Sequence, residues 1–268
     1  MRRAVILGLL STRARGFGLR LATRTRPLAV CLDGLAEPVH ALELLDPDAL
    51  LGEGTELSSD TDDVYGACLW PSSYVAAGAL VSELADDAAA ANVVELGCGS
   101  AAVPSLAALA AGAGAVTATD WSTLALQIVE EAALEFQPTR APRLQTMRLD
   151  ARQVDGDSPL WRCSHLVAAD MLYDADTARA VGVCVAHAVS NGATALVADP
   201  GRLGGRGRQL FVEGFVEALG DAPKTGRLEF VEESVPHEKL HEFGASLSWF
   251  GVQETSVGVL RIGAGDVQ

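Results

Sequence analysis

Short apolar runs alternate with longer segments of helix-forming composition from residue 93 onward. The runs have the length and apolar content of buried strands, whereas the segments between them suit helices. Such alternation is typical of a parallel sheet wound with crossover helices, so we predict an α/β fold with a Rossmann-like, doubly wound sheet of seven strands. The predicted strands are 93–96, 115–118, 144–149, 165–169, 193–198, 228–235 and 256–262, and the predicted helices are 102–111, 122–135, 177–189 and 208–219.

Two further apolar runs, 28–32 and 39–45, precede this pattern and flank the turn-forming pair Asp33 and Gly34. They predict a β-hairpin as an amino-terminal extension of the sheet domain. Residues 51–63 lack periodicity and are rich in glycine, serine, threonine and acidic residues, which predicts a loop. The expected organisation is a leader over 1–26, a hairpin and loop over 27–63, and one α/β domain over 64–268.

The leader carries seven arginines and no acidic residue, although the whole chain has a formal net charge of −15. An arginine-rich, acid-free start is typical of an organelle transit peptide, and we expect a mitochondrial protein. A plastid or cytoplasmic location and a disordered basic tail are the alternatives. The acidic remainder disfavours nucleic acid as a partner, because like charges repel. No apolar run reaches the roughly 20 residues of a membrane helix, and we expect a soluble monomer.

The five cysteines and five histidines are dispersed along the chain. No Cys-x-x-Cys pair occurs, which argues against a zinc site and against a disulfide framework. His237 and His241 are four residues apart, but Pro236 and the charged neighbours favour a surface turn. We therefore expect no metal site.

The strongest local feature is the turn formed by Gly97, Cys98 and Gly99, between a predicted strand and a predicted helix. Two glycines here let the main chain approach a ligand closely, and the helix start offers a partly positive end. A pyrophosphate fingerprint would have a third glycine at Ala102. Because the carboxylate of Glu95 suits a cation better, we expect it to meet the ammonium of a methionine moiety; a purely structural turn is the alternative.

Further acidic residues end the next two strands. Asp120 follows the glycine turn by roughly the 20 residues at which a carboxylate meets a ribose diol in such folds. The alternative is a helix-capping role, although Ser122 is itself a competent cap. Chain order alone places Trp121 and Asp150 beside an adenine.

The fourth strand ends in a string that contains Asp170, Tyr173 and Asp174. Ligands of open α/β sheets bind outside the carboxyl ends of the strands, so Asp170 and Tyr173 should face the site. Asp174 is expected to cap the following helix. After the fifth strand, Asp199 and Arg202 either bind the substrate or pair with each other.

Three strings in this order resemble one enzyme family. The segment 170–173, Asp-Met-Leu-Tyr, resembles the Asp-x-x-Tyr motif of the seven-β-strand protein methyltransferases grouped as family 16. The segment 95–99 resembles their first-strand motif, and 66–73, which contains Trp70, is similar to the stretch before their sheet. The resemblance covers about 64–202. It departs at Ala101, where a glycine is common, so slight crowding of the cofactor's carboxylate end is expected.

The resemblance implies a class I methyltransferase that uses S-adenosyl-L-methionine to methylate a lysine of a protein. Asp170 would position substrate and methyl donor, and Tyr173 would line the same pocket; neither is required as a general base. The implied cofactor-binding residues are Trp70, Glu95, Gly97, Gly99, Asp120, Trp121, Asp150 and Asp170. Trp70 would form an apolar wall, with a place in the core as the alternative.

Within the family, 169–179 and 198–202 are similar to strings of a mitochondrial member, which agrees with the leader. One alternative is a cytosolic member acting on a chaperone, an elongation factor or calmodulin. The others are a nicotinamide-dependent oxidoreductase and a non-catalytic adenosylmethionine-binding domain.

Overall fold

The computed structural model of the chain describes residues 25–45, 64–220, 228–235 and 256–266. Its strands are β1 Thr25–Val30, β2 Val39–Leu44, β3 Asn92–Leu96, β4 Ala115–Asp120, β5 Leu144–Arg148, β6 His165–Ala169, β7 Thr194–Asp199, β8 Val231–Ser234 and β9 Ser256–Ile262. Its α-helices are α1 Pro71–Glu83, α2 Val103–Ala111, α3 Thr123–Phe136, α4 Ala175–Ser190 and α5 Arg206–Leu219. The predicted α/β fold is confirmed.

Seven of these strands form one sheet in the order β5-β4-β3-β6-β7-β9-β8. The first five strands in this order run parallel, whereas β9 is antiparallel to β7 and to β8. The carboxyl ends of the five parallel strands therefore meet at one edge. This edge is where an open α/β sheet binds its ligands.

Helices cover both faces of the sheet because the parallel strands are apolar on both sides. Along β3, Val93 packs in a cluster with α1, α2 and part of α3. Val94 and Leu96 pack in a second cluster with α4 and α5. The alternation of neighbouring residues between two cores confirms the doubly wound arrangement.

Helix α1 is the main element that the sequence pattern did not predict. It begins with Pro71 in its first turn, where a proline costs no hydrogen bond and its fixed φ suits the helix. The other boundaries differ from the predicted ones by a few residues. Helix α4, for example, begins at Ala175 because Asp174 caps it, as predicted, by accepting from the backbone N–H groups of Asp176 and Thr177.

The predicted hairpin is also confirmed, with β1 antiparallel to β2. Glu43 of β2 is fully buried and accepts hydrogen bonds from the guanidinium of Arg26 and, at 3.2 Å, from the backbone N–H of Leu69. Because β1 begins at Thr25, the predicted leader boundary at residue 26 falls inside the hairpin. A leader can extend only as far as the residue before this strand without taking part of it.

Several expectations lie partly or wholly outside the described residues. These are the leader over 1–24, the loop over 51–63 and the pair His237 and His241. Among the residues that the structure describes, no helix has the length and apolar character needed to cross a membrane. The same residues contain no group of three or more potential ligands that could hold a metal ion.

Candidate active site

A pocket of about 500 Å³ opens at the carboxyl edge of the parallel strands. Its size and its mixture of apolar and polar walls are those of a small-molecule or cofactor site. All but one of the residues predicted for the site line it, the exception being Glu95. The lining residues predicted from the sequence are Trp70, Gly97, Gly99, Asp120, Trp121, Asp150, Asp170 and Tyr173.

The glycine turn needs both of its glycines. Gly97 and Gly99 have φ angles of +61° and +58°, which side chains rarely adopt. A Cβ atom on Gly97 would lie 1.9 Å from Sδ of Met171, and one on Gly99 would lie 3.0 Å from the carbonyl oxygen of Gly66. Gly66, which the sequence did not single out, holds the turn from outside, since its carbonyl accepts from the N–H of Ser100 at 2.7 Å.

Glu95 does not line the pocket. Its side chain lies on the side of the turn that faces helix α2. Its Oε2 accepts the N–H of Ser105 at 2.8 Å and the Ser105 hydroxyl at 2.5 Å. The N-cap residue of helix α2 is Ala102, whose side chain cannot accept a hydrogen bond, so Glu95 supplies the missing acceptor for the first turn. Burial raises the pKa of Glu95 to about 8, although the Ser105 hydrogen bonds lower it. This placement corrects the expectation that Glu95 meets the cofactor's ammonium.

Asp120 lines the pocket at the end of β4. Its Oδ2 accepts the N–H of Gly99 at 2.9 Å, and its Oδ1 accepts the N–H of Ser122 at 2.8 Å. Ser122 caps α3, with its hydroxyl accepting from the N–H of Ala125 at 3.2 Å. Ser122, and not Asp120, therefore caps this helix. Asp120 instead ties the glycine turn to the pocket wall, where a second lone pair on each oxygen can accept from a ribose hydroxyl.

Trp121 and Asp150 line the far side of the pocket, at the ends of β4 and β5. Asp150 forms two hydrogen bonds with the guanidinium of Arg152, at 2.9 and 3.0 Å. The Arg152 hydrogen bond lowers the pKa of Asp150, so this carboxylate is charged and paired. Leu149 and Ala151 add apolar wall between these polar groups. The expectation that an adenine lies here stays a prediction.

Asp170 lies at the opposite side of the pocket, and its side chain is 8% exposed. It has a φ of +59°, a left-handed conformation that aspartate tolerates better than most residues. Arg202 donates to both carboxylate oxygens, from Nε at 2.9 Å and from Nη2 at 3.0 Å. The Ser72 hydroxyl donates to Oδ2 at 3.3 Å. The guanidinium carbon of Arg202 lies 4.4 Å from the centroid of the Trp70 ring.

Arg202 pairs with Asp170, which corrects the expectation that it pairs with Asp199, whereas a contact of Arg202 with the substrate stays a prediction. Asp199 pairs instead with Arg208, which donates from Nε at 2.9 Å, and with the N–H of Gly201 at 2.8 Å. Burial raises the pKa of Asp199. Asp199 thereby fixes the loop after β7 that carries Arg202.

Other lining residues were not predicted, among them Met171, Thr177, Ser73 and Cys68. Met171 stands inside the Asp-x-x-Tyr string, so its closeness to the site could have been inferred from that string. Cys68 and Ser73 likewise stand inside the string 66–73. Burial raises the pKa of the Cys68 thiol far above the usual value, which leaves no thiolate to act as a nucleophile.

A family model described as lysine methyltransferase matches residues 52–205 of the chain. The chain belongs to this family. It is a methyltransferase, and its cofactor is S-adenosyl-L-methionine. No curated protein matches the methyltransferase.

Solved structures similar to the methyltransferase include a putative RNA methyltransferase from Pyrococcus horikoshii, with 15% identity over 81% of this chain and 95% of that one, and a TM-score of 0.49. A geranyl diphosphate methyltransferase, solved with GPP and sinefungin, has 12% identity over 71% and 78% of the two chains, and a TM-score of 0.43. At these identities and scores, nothing about the substrate follows.

The pocket of the methyltransferase fits its cofactor. The turn at Gly97 and Gly99 lines the pocket with main chain, and a Cβ atom at either position would press against Met171 or Gly66. Asp120 presents a carboxylate next to this turn, as a ribose diol requires, and the apolar wall near Trp121 suits an aromatic base. The site residues predicted for the cofactor, apart from Glu95, are placed where they can hold it.

Proposed function

We propose that this methyltransferase transfers the methyl group of S-adenosyl-L-methionine to the ε-amino group of a lysine in a protein. The observation that carries the proposal is the contact of Arg202 with both Asp170 and the Trp70 ring, which brings a carboxylate and an indole together on the wall of a pocket that Tyr173 also lines. An indole face suits the aliphatic part of a lysine, while a carboxylate and a phenol can hold its amine. The description of the family supports the same acceptor.

Methyl transfer to an amine depends more on positioning of the amine than on acid-base catalysis. The bound cofactor supplies a methyl group on a positively charged sulfur, which an uncharged amine can attack. Asp170 and Tyr173 hold the amine in line with that methyl group, because Asp170 is fixed by Arg202 and Ser72. Tyr173 is 39% exposed and lines the pocket, so an incoming lysine side chain can reach its phenol. Water exclusion by Trp70 and Met171 contributes further.

The proposed acceptor is an organellar protein, and the electron transfer flavoprotein β subunit is the first candidate. This proposal rests on two sequence features. The strings at 169–179 and 198–202 are similar to those of the mitochondrial lysine methyltransferase that modifies this subunit. The arginine-rich leader over 1–24 is typical of an organelle address. A chaperone, an elongation factor or calmodulin is the acceptor of the cytosolic alternative.

The test is incubation of the purified protein with labelled adenosylmethionine and either mitochondrial extract or recombinant electron transfer flavoprotein β subunit. Wild type should label a protein band, and mass spectrometry should place the methyl group on a lysine. Asp170→Ala should lower labelling about a hundredfold, because the amine is no longer positioned. Asp86→Asn, at an exposed carboxylate outside the pocket, should keep labelling within about twofold of wild type. Absence of methylated lysine in every labelled protein would refute the proposal.

A further inference from the structure

Arg202 is a cation built into the reaction side of the pocket. It lines the pocket, contacts both carboxylate oxygens of Asp170 and lies over the Trp70 ring. Two parallel N–H···O hydrogen bonds hold the Arg202 guanidinium in the plane of the Asp170 carboxylate. This bidentate geometry is the strongest available to an arginine and a carboxylate. The Arg202 side chain is 25% exposed, so part of it faces the space that ligands occupy.

Without such a partner, the negative charge of Asp170 would oppose the reaction in two respects. A lysine ammonium has an ordinary pKa of about 10.4, and only the uncharged amine attacks a methyl group. A nearby unpaired carboxylate favours the charged ammonium and so resists the loss of its proton. The same carboxylate would also stabilise the positively charged sulfur of the cofactor over the uncharged sulfur of the product. Both effects act against methyl transfer.

We propose that Arg202 is a positioning residue that neutralises Asp170, so that the electrostatic potential at the methyl-transfer point stays close to zero while the carboxylate keeps its place. Asp170 then acts on the amine as a hydrogen-bond acceptor inside an ion pair, with little net charge. The pairing of Arg202 and Asp170 depends on the loop after β7, which Asp199 and Arg208 hold in position.

The carboxylates elsewhere on the pocket wall are held by other groups, so the inference concerns Asp170. Asp150 is paired with Arg152, and Asp120 is held by the backbone N–H groups of Gly99 and Ser122. Removing Arg202 therefore exposes one specific carboxylate. The effect on the lysine amine rests on the proposed function. The neutralisation of Asp170 by Arg202 concerns only this chain and its cofactor.

The test compares two ligands that differ by one charge at the reacting atom. S-adenosyl-L-methionine carries a sulfonium, and S-adenosylhomocysteine has an uncharged sulfur in its place. We divide the dissociation constant of S-adenosylhomocysteine by that of S-adenosyl-L-methionine. This ratio reports the electrostatic potential at the sulfur atom. Isothermal titration calorimetry gives both constants for wild type, Arg202→Gln, Arg202→Lys, Asp170→Asn and the double variant.

Arg202→Gln should raise the ratio roughly three- to thirtyfold, because an unpaired carboxylate then attracts the sulfonium. Asp170→Asn should lower it by a similar factor, and the double variant should return it to within about threefold of wild type. Arg202→Lys keeps the charge and should keep the ratio. Arg152→Gln, the matched control at the far side of the pocket, should change it by less than about twofold.

Ratios that stay within about twofold in both Arg202→Gln and Asp170→Asn would overturn the inference, and so would an equal change in Arg152→Gln. If Arg202→Gln does not fold, Asp170→Asn and the double variant decide the matter, because loss of the Arg202 charge should make the ratio of the double variant roughly three- to thirtyfold higher than that of Asp170→Asn. Failure of the proposed function is recognised separately, since it appears as absence of methylated lysine with wild-type enzyme while these binding ratios still respond.

Discussion

Glu95 offers a sharp test of how the cofactor turn is held. Its buried carboxyl has a pKa of about 8 in the folded protein, against an ordinary value of 4.5, because burial disfavours the charged form. With each pKa unit equal to about 1.4 kcal/mol, this difference corresponds to about 5 kcal/mol of folding free energy. The folded state binds the proton more tightly, so this stability is present below pH 4.5 and is lost as the pH rises towards about 8.

Glu95→Gln removes the titration while keeping an oxygen that can accept from Ser105. The free energy of unfolding of the variant, minus that of wild type, should therefore rise by at least about 2 kcal/mol between about pH 5 and pH 8.5. Urea unfolding at several pH values measures it. Asp86→Asn, at an exposed carboxylate outside the core, is the control and should change the free energy of unfolding by less than about 0.5 kcal/mol at each pH. A pH-independent difference for Glu95→Gln would refute the reasoning.

The same variant separates the two positions considered for Glu95. If its carboxyl lies behind the turn, as the structure places it, Glu95→Gln should change the affinity for adenosylmethionine by less than about threefold at pH 7. If it contacted the cofactor's ammonium directly, the loss of a charge-assisted hydrogen bond should weaken binding about tenfold or more. Calorimetry decides between these outcomes.

Three further predictions concern the glycine turn, the ribose contact and the hairpin. Gly97→Ala should weaken adenosylmethionine binding at least about tenfold by calorimetry, because the new Cβ displaces Met171 and the positive φ is strained. Asp120→Asn should weaken it about tenfold through loss of a charged acceptor, whereas unchanged affinity would exclude the ribose contact. Arg26→Ala should lower the free energy of unfolding by about 3 kcal/mol in urea, since Glu43 stays buried without its guanidinium; a change below 0.5 kcal/mol, on the order of a surface substitution, would contradict this.

The fold could be predicted from the sequence because local pattern and global topology agree. Buried parallel strands are apolar on both faces, and each parallel strand of this chain except β5 is followed by a predicted helix. The residues at strand ends then meet without further information, which is why Asp120 and Asp170 were found. Helix α1 was missed because it precedes the first core strand, outside that alternation.

The direction of side chains could not be predicted in the same way. Glu95 and Gly97 are two residues apart, yet the Glu95 side chain faces α2 while the turn backbone faces the pocket. The partner of Arg202 depends on how the loop after β7 returns across the sheet, and Asp170 is 32 residues away in sequence. Contacts of this kind follow from tertiary packing, and the pattern of apolar residues along the sequence does not predict them.

The chemical identity of the methylated amino acid shows directly whether the enzyme methylates lysine. Wild-type enzyme, labelled adenosylmethionine and the acceptor protein are incubated, the protein is hydrolysed in acid, and the labelled amino acid is identified by chromatography against methylated standards. The account predicts label in ε-N-methylated lysine and at least about a hundredfold less of it with Asp170→Ala. Label in methylated arginine or histidine, or in nucleic acid alone, would contradict it.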